Sequence, residues 1–481
     1  MTETEEPSDG LPLPRRRVAY LALALAVAMS GLDGSIANTA LPTIARELGT
    51  SPAESIWVVN GFQLAVTASL LAFAALGRLR GPSRVYRAGV IVFIAGSLAC
   101  AVARSFPLLI AARVLQGLGA SAIMAITPAI LREVFPRAQL GRALGINALV
   151  VATSAAAGPT LGGFILAVLP WPWLFAINVP FGIANVLLNR ALPIEARRRG
   201  WLDIPSVVTS ALGFSLTIWG LDGFARHEPA WTIAARVLAG IVAGVVFVRR
   251  QFALRRPMID LDLFRIPAFS SASATGFATF AAQGLAFVAL PFFFQEALGK
   301  TPLQSGLLLT SWPLAVAVVA PLAGRLSDRF PVGILATAGL AVFTTGLALY
   351  ASLPANPTGV EIVLRGIVCG LGFGFFQSPN NRELIGSAPR EKSTSAAGLL
   401  AAMRVSGQTV GAALVAIVFG AFGASVAAGT APRDVIAHAA PAVLWLACGC
   451  AAVATLASAL RLRGIRAGAP AQGSRDRGPS L

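Results

Sequence analysis

The chain has 481 residues, 56% of them hydrophobic and only 12% charged, with a mean hydropathy of +0.73. Ordinary soluble domains carry roughly 25% charged residues, so a string of soluble domains is excluded. A formal net charge of +17, from 38 basic and 21 acidic residues, by itself invites a nucleic-acid partner. Cys100, Cys369, Cys448 and Cys450 lie in apolar runs and His227 and His438 are isolated, so disulfide, metal and Ser-His-Asp frameworks lack their parts.

A helix crosses a hydrocarbon core of ~30 Å with ~20 apolar residues, and the chain holds fourteen such runs. Residues 1–17, acidic at first and then carrying Arg15-Arg16-Arg17, are expected to be a cytoplasmic segment without a cleavable export signal. Residues 18–192 carry spans at 18–39, 56–77, 87–104, 107–131, 143–167 and 174–192. A linker, 193–265, holds two more at 206–224 and 231–249. Residues 266–460 carry spans at 268–294, 305–324, 332–353, 360–381, 397–424 and 441–460. Residues 461–481, with Gly, Pro, Ser and Arg interspersed, cannot build a core and are expected to be a disordered cytoplasmic tail.

With both termini cytoplasmic, 29 of the 38 basic residues fall on the inner side and only Arg46, Arg104, Arg226, Lys300 and Arg433 on the outer side. The charge is therefore a topology signal of the positive-inside kind, not a nucleic-acid footprint. The chain also repeats itself. Ala40-Leu41-Pro42, Glu47, Gly49, Ser51-Pro52 and Ser55 recur as Ala289-Leu290-Pro291, Glu296, Gly299, Thr301-Pro302 and Ser305; Gly77-Arg78-Leu79 recurs as Gly324-Arg325-Leu326. Spans 1 and 2 correspond to spans 9 and 10 in the same orientation. The expected fold is an all-α polytopic membrane protein of two parallel six-helix bundles with two inserted spans, an architecture of transporters.

Charges inside a bilayer are functional candidates by default. Asp33 alone among the acidic residues lies well within a span, ~23 Å from its inner end at 1.5 Å per residue. Arg113, entering from the outer side, lies ~21 Å from the inner face. The two share a level, so the expectation is that they face each other, with Gln116 one turn deeper. A carboxylate whose arginine contact is made in one conformation and broken in another binds and releases a proton. Arg236, Arg365 and Arg404 are the other arginines within spans. The fifth span carries Gly145, Ser154, Gly158-Pro159 and Gly162-Gly163, small residues that let helices approach closely and a proline that removes an N–H. Trp171-Pro172-Trp173 reads as an aromatic anchor at the outer interface.

These residues resemble the fourteen-span drug:proton antiporters of the major facilitator superfamily. The segments are Leu32-Asp33-Gly34-Ser35-Ile36-Ala37-Asn38-Thr39-Ala40-Leu41-Pro42 in span 1, Trp57-Val58-Val59-Asn60-Gly61-Phe62 in span 2 and Arg113-Val114-Leu115-Gln116-Gly117-Leu118-Gly119-Ala120 in span 4. The fifth-span pattern is similar to the family's antiporter motif, with Ser154 in place of a glycine, and Trp171 to Pro180 resembles its sixth-span entrance. The resemblance implies proton coupling through Asp33 and Arg113, export by alternating access, and a cytoplasmic gate at Gly77, Arg78, Gly324, Arg325, Asp328 and Arg329. One departure stands out: Gly81 occupies the place of the family's gate aspartate in the first half, where the loop is also shortened, whereas Asp328 retains it in the second.

The resemblance implies a multi-pass protein of the bacterial cytoplasmic (inner) membrane that is not an enzyme. It uses the proton gradient and no cofactor, and moves an amphipathic small molecule. Partners are the lipid bilayer, protons and substrate, with a periplasmic adaptor protein as a further candidate and no nucleic acid. Gln116, Asn38, Gln63, Phe287 and Arg404 are candidates to line the substrate cavity; Phe73, Phe277, Phe280, Phe292, Phe293, Phe294, Phe373, Phe375 and Phe376 could add apolar lining, and Gln283, Gln377, Asn380 and Asn381 are polar candidates for the cavity or the inner gate. A single deep acid suits lipophilic monocations, zwitterions or neutral compounds, and Arg404 is a candidate contact for an anionic group or a lipid headgroup. A dedicated exporter of one endogenous metabolite, an antibiotic or a siderophore, is the alternative function, and a non-transporting membrane sensor a more distant one.

Overall fold

A computed structural model of the chain describes residues 10–193, 203–226, 228–254, 257–327, 329–389, 392–424 and 433–467. Among the described residues fourteen helices are long and apolar enough to cross a membrane: α1 Leu13–Leu48, α2 Pro52–Arg80, α3 Pro82–Val102, α4 Phe106–Val134, α5 Arg142–Val168, α6 Trp173–Ala191, α7 Ile204–Phe224, α8 Ala230–Ala253, α9 Pro267–Ala297, α10 Pro302–Leu326, α11 Val332–Ala351, α12 Gly359–Ser387, α13 Ser395–Ala421 and α14 Arg433–Leu460. No strand occurs among the described residues. Helix continues beyond α14 to Ala467, so residues 461–467 of the expected tail are helical.

Helices α1–α6 form one bundle and α9–α14 a second, and the sequence repeat reappears in how their helices begin. At the start of α2, Ser51 and Glu54 close a capping box; at the equivalent start of α10, Thr301 and Gln304 close another. Each satisfies two N–H groups that a helix start leaves open. Replacing Ser51 or Thr301 with alanine is expected to cost about 1 kcal/mol, measurable as a lower midpoint in denaturant titration of the purified protein.

Helices α7 and α8 make a hairpin whose backbones touch through glycines: a Cβ on Gly240 would lie 2.4 Å from Thr217 Oγ1, and one on Gly213 would lie 3.3 Å from Gly244 N. Helix α7 lies against α2 and α13, one from each bundle, and α8 lies against α7. At the cytoplasmic end Arg250 grips Asp203 with Nη2–Oδ1 at 2.7 Å and Nε–Oδ2 at 3.0 Å. The hydrogen-bonded guanidinium holds the Asp203 carboxyl below the usual carboxylate range. This clasp is therefore present at neutral pH and is lost as pH falls through that lowered value.

The two bundles meet tightly on the outer side. A Cβ on Gly306 of α10 would lie 2.2 Å from the Pro159 carbonyl of α5, and one on Gly163 of α5 would lie 2.6 Å from the Pro302 carbonyl of α10. On the same two helices Thr160 and Thr310 share a hydroxyl hydrogen bond of 2.5 Å. Gln295 of α9 donates to the Thr39 carbonyl of α1 at 2.9 Å, and Arg46 pairs with Glu296 at 3.6 Å. One continuous apolar core runs from Ile36, Leu41 and Ile44 of the first bundle to Leu285, Leu290 and Leu309 of the second. The molecule is thus closed on its outer side.

At the cytoplasmic side Arg78, Arg325 and Arg329 are exposed, and Asp328 lies outside the described residues. A single residue, Gly81, separates α2 from α3, at φ +94°, a conformation that an L side chain rarely adopts. The same connection in the second bundle runs over 327–331. The first half has therefore lost the loop itself, together with the aspartate.

Candidate functional site

The first bundle encloses a dry polar network at the middle of its helices. Asp33 on α1 is 1% exposed and Arg113 on α4 is 0% exposed, with Arg113 Nη1 2.5 Å from Asp33 Oδ2. Gln116, three residues after Arg113 and so on the same helix face, accepts from Arg113 Nη1 at 2.6 Å and donates to Asp33 Oδ1 at 2.7 Å. Sequence reasoning missed the remaining partners. Asn178 of α6 donates to Asp33 Oδ1 at 3.0 Å, and the Gln116 amide also reaches Ser97 Oγ of α3 at 2.8 Å. Arg113 Nε donates to the Val58 carbonyl of α2 at 2.8 Å.

Two rings complete the enclosure. The Arg113 guanidinium carbon lies 4.3 Å from the Phe62 ring centre and 5.3 Å from that of Phe175, within the range where a ring face attracts a cation. Arg113 Nη2 is buried without a hydrogen-bond acceptor. Five of the six helices of this bundle thus contribute, and the close approach of α3 to α4 depends on a glycine. A Cβ on Gly96 would lie 2.5 Å from Gln116 N, so only glycine lets Ser97 come within reach of Gln116. Gln116→Leu removes a donor from Asp33 and an acceptor from Arg113. It is expected to lower stability by about 1.5–3 kcal/mol, the worth of hydrogen bonds to charged groups, read from chemical denaturation in detergent.

The equivalent place in the second bundle is apolar. Gly346 approaches Cys369 as Gly96 approaches Gln116, with a would-be Cβ 2.8 Å from Cys369 N. Around it stand Trp312, Phe343, Phe373 and Phe280, with Trp312–Phe343 centroids at 5.4 Å and Phe343–Phe373 at 5.5 Å. Phe280, Phe292 and Phe373 are buried in this core, so they pack the bundle and do not line a cavity. Phe287, half-buried, stacks on Trp312 at 5.0 Å. Among the described residues, the buried ion pair of this level belongs to the first bundle.

The other candidates fall in three groups. Ser154, Gly158 and Gly162 of α5 face α1, where a Cβ on Gly158 would lie 2.3 Å from Ser35 Cβ and one on Gly31 would lie 3.2 Å from Ser154 Cβ. Pro159 and Gly163 face α10, as described above, and Gly145 lies within α5. One helix therefore holds α1 on either side of Asp33 and also makes the outer seal. Asn38 and Gln63 are half-buried, each with a side-chain oxygen that has no partner. Arg404 is half-buried on α13. Asn380 is instead a strut, donating to the Ala272 carbonyl at 3.1 Å and accepting from Thr275 Oγ1 at 3.3 Å. Gly77 is buried against Ile126, and Gly324 lies beside Ser378. Trp171 is 4% exposed and stacks edge-on against Phe175, so of the two tryptophans only Trp173, 51% exposed, is placed as an interface anchor.

Comparison with known proteins adds to this picture. Residues 23–205 and 272–480 match the model of the Major Facilitator Superfamily. The uncharacterised transporter YebQ of Escherichia coli is 48% identical over 86% of this chain and 92% of its own length. The riboflavin transporter RibZ of Clostridioides difficile is 32% identical over 82% of this chain and 86% of its own length. The methylenomycin A resistance protein of Streptomyces coelicolor is 31% identical over 86% of this chain and 88% of its own length. Among solved structures, a bacterial homologue of the human lysosomal transporter Spinster, in an inward-facing and unoccupied conformation, superposes with a TM-score of 0.67. It is 16% identical and covers 94% of this chain and 99% of its own, a likeness of fold.

Proposed function

The chain belongs to the Major Facilitator Superfamily and is a multi-pass membrane transporter, and from that premise we propose that it is a proton-coupled antiporter. It exports amphipathic small molecules across the bacterial cytoplasmic membrane by alternating access. The proton gradient is its energy source, with no cofactor, and a periplasmic adaptor is a candidate partner.

The observation that carries this reading is the buried Asp33–Arg113 contact in a molecule closed on its outer side. A charge at this depth is tolerated when it is paired. Helix α5 holds α1 at Gly31, Ser35 and Ile36 and meets α10 at the outer seal, so opening the seal drags α1 relative to α4. A carboxylate parted from its guanidinium in a dry site is best held as the neutral acid. Asp33 accordingly takes a proton from the outer side when the seal opens and substrate leaves. On closure Arg113 reclaims Asp33, and the proton departs towards the cytoplasm.

The test uses everted membrane vesicles with an acidified lumen and a pH-sensitive dye. Adding ethidium or another lipophilic drug is expected to release luminal protons from vesicles holding this protein and not from control vesicles. Drug accumulation without proton release contradicts the coupling. The similarity to a riboflavin transporter favours a second reading, a dedicated carrier of one metabolite. A panel of riboflavin and structurally unrelated drugs separates the two: broad resistance supports the first reading, a single transported compound the second.

A further inference from the structure

Four arginines lie within spans, and three of them have partners. Arg113 holds Asp33. Arg236 pairs with Glu228 at 2.6 Å and lies 4.0 Å from the Trp219 ring centre. Arg365 donates to the Leu349 carbonyl at 2.9 Å and the Glu361 carbonyl at 3.1 Å. Arg404 alone makes no ion pair or hydrogen bond among the described residues, although only part of it is exposed. It lies nine residues into α13 from Ser395, about 14 Å along the helix at 1.5 Å per residue.

Its neighbours on α13 show which way it faces. Met403 and Gly407 lie against α9: the Met403 Cε is 3.2 Å from where a Gly276 Cβ would stand, and a Cβ on Gly407 would lie 2.8 Å from the Phe277 carbonyl. Ala401, Ala402 and Val405 pack into the apolar cluster of the first bundle. At about 100° per residue, Arg404 falls between these two stripes, on the arc where α13 faces the gap between the bundles. Gln408, one turn on and on the same face, donates to Gln283 of α9 at 3.0 Å. Helix α7, lying against both α2 and α13, covers their seam from the other side. In the alternating-access reading a transported molecule crosses between the two bundles, past this arc of α13.

The acidic side chains of Asp33 and of the outer helix ends already have partners. Asp33, which from the sequence favours lipophilic cations, is held by Arg113, Gln116 and Asn178. Asp222 is paired with Arg226, Glu296 with Arg46, and Glu361 closes a capping box. A lone guanidinium in a partly desolvated site is the strong half of a charge-assisted hydrogen bond whose other half is missing. We propose that Arg404 is the recognition point for an anionic group, a carboxylate, sulfonate or phosphate carried on an apolar body, of the transported molecule. The assignment rests on the transporter reading, and its test does not depend on proton coupling.

The test is equilibrium binding to the purified full chain in phosphatidylcholine nanodiscs, with 1-pyrenebutyrate and 1-pyrenebutylamine as probes of one aromatic body and opposite charge. The wild type is expected to bind the butyrate about tenfold more tightly, the lower end of what a hydrogen bond to a charged group supplies. Arg404→Gln is expected to erase the preference and Arg404→Lys to keep it. A wild type that binds the amine as tightly as the butyrate, or an Arg404→Gln protein with undiminished preference, overturns the assignment. If phosphatidylglycerol in the disc lowers the butyrate preference of the wild type well beyond the shift it causes in Arg404→Gln, which reports surface charge alone, the anion at Arg404 is a headgroup and the assignment to substrate is overturned. An intact preference without substrate-evoked proton release removes the antiporter reading and leaves this one standing.

Discussion

Arg113→Leu is expected to destabilise the protein by about 3–5 kcal/mol, the usual consequence of removing one partner of a buried ion pair. Asp33 would keep Gln116 and Asn178 as donors but would lose the cation that pairs with it among the described residues, in a site where it is 1% exposed. The loss also strips the Phe62 and Phe175 ring faces of the cation they enclose. Arg113→Leu combined with Asp33→Asn removes both charges and is expected to regain most of the stability, because the cost lies in the uncompensated carboxylate. Unfolding midpoints of the wild type and the two variants in detergent provide the measurement. A double variant no more stable than Arg113→Leu would show that packing, not charge, sets the cost.

Gly306→Val is expected to abolish the outer-closed form. A Cβ there would lie 2.2 Å from the Pro159 carbonyl, and since the obstacle is backbone on both sides, no rotamer change relieves it. The helices must separate by about an ångström or more, and the Thr160–Thr310 contact beside them is lost. Since α5 and α10 move apart only by opening the outer side, the variant should fold and bind substrate from outside but not complete a cycle. A cysteine placed at Thr160 should react with a membrane-impermeant maleimide added outside far faster in Gly306→Val than in the parent. Equal labelling in both would mean that these glycines do not form the seal. Gly163→Val, against the Pro302 carbonyl, should behave alike.

Helical rise is constant, so the depth of Asp33 and Arg113 could be counted from their span ends, and the i, i+3 relation placed Gln116 beside them. What counting along one helix cannot supply is rotation and neighbour. Asn178 stands within the sixth-span segment that resembled a known family, yet only the packing of α6 shows that its amide turns to Asp33. Ser97 had a signal in the glycine before it, because a glycine in a helix marks a close approach. The helix it approaches was not readable. The same limit explains Trp171, an apparent interface anchor that is buried, and Asn380, a polar residue that braces α9 and α12. The parallel repeat was legible and reappears in the paired capping boxes of α2 and α10. That its halves divide the work, ion pair in one and aromatic core in the other, emerged only when Gln116 and Cys369 were seen in equivalent places.

The glycine-rich α5 connects these observations. Its small residues on one side let α1 lie close around Asp33, and those on the other let α10 lie close at the outer seal. A helix that touches both links the outer seal to the Asp33–Arg113 pair, and the Gly81 turn makes the cytoplasmic end of the first bundle shorter than its counterpart in the second.

The most direct measurement of proton coupling compares wild type with Asp33→Asn in proteoliposomes under two conditions. With an imposed pH gradient, the wild type should drive uphill accumulation of drug and Asp33→Asn should not. Without a gradient, exchange of labelled for unlabelled drug should continue in Asp33→Asn, because substrate binding and the helix movements remain. Uphill transport by Asp33→Asn at the wild-type rate would contradict the account.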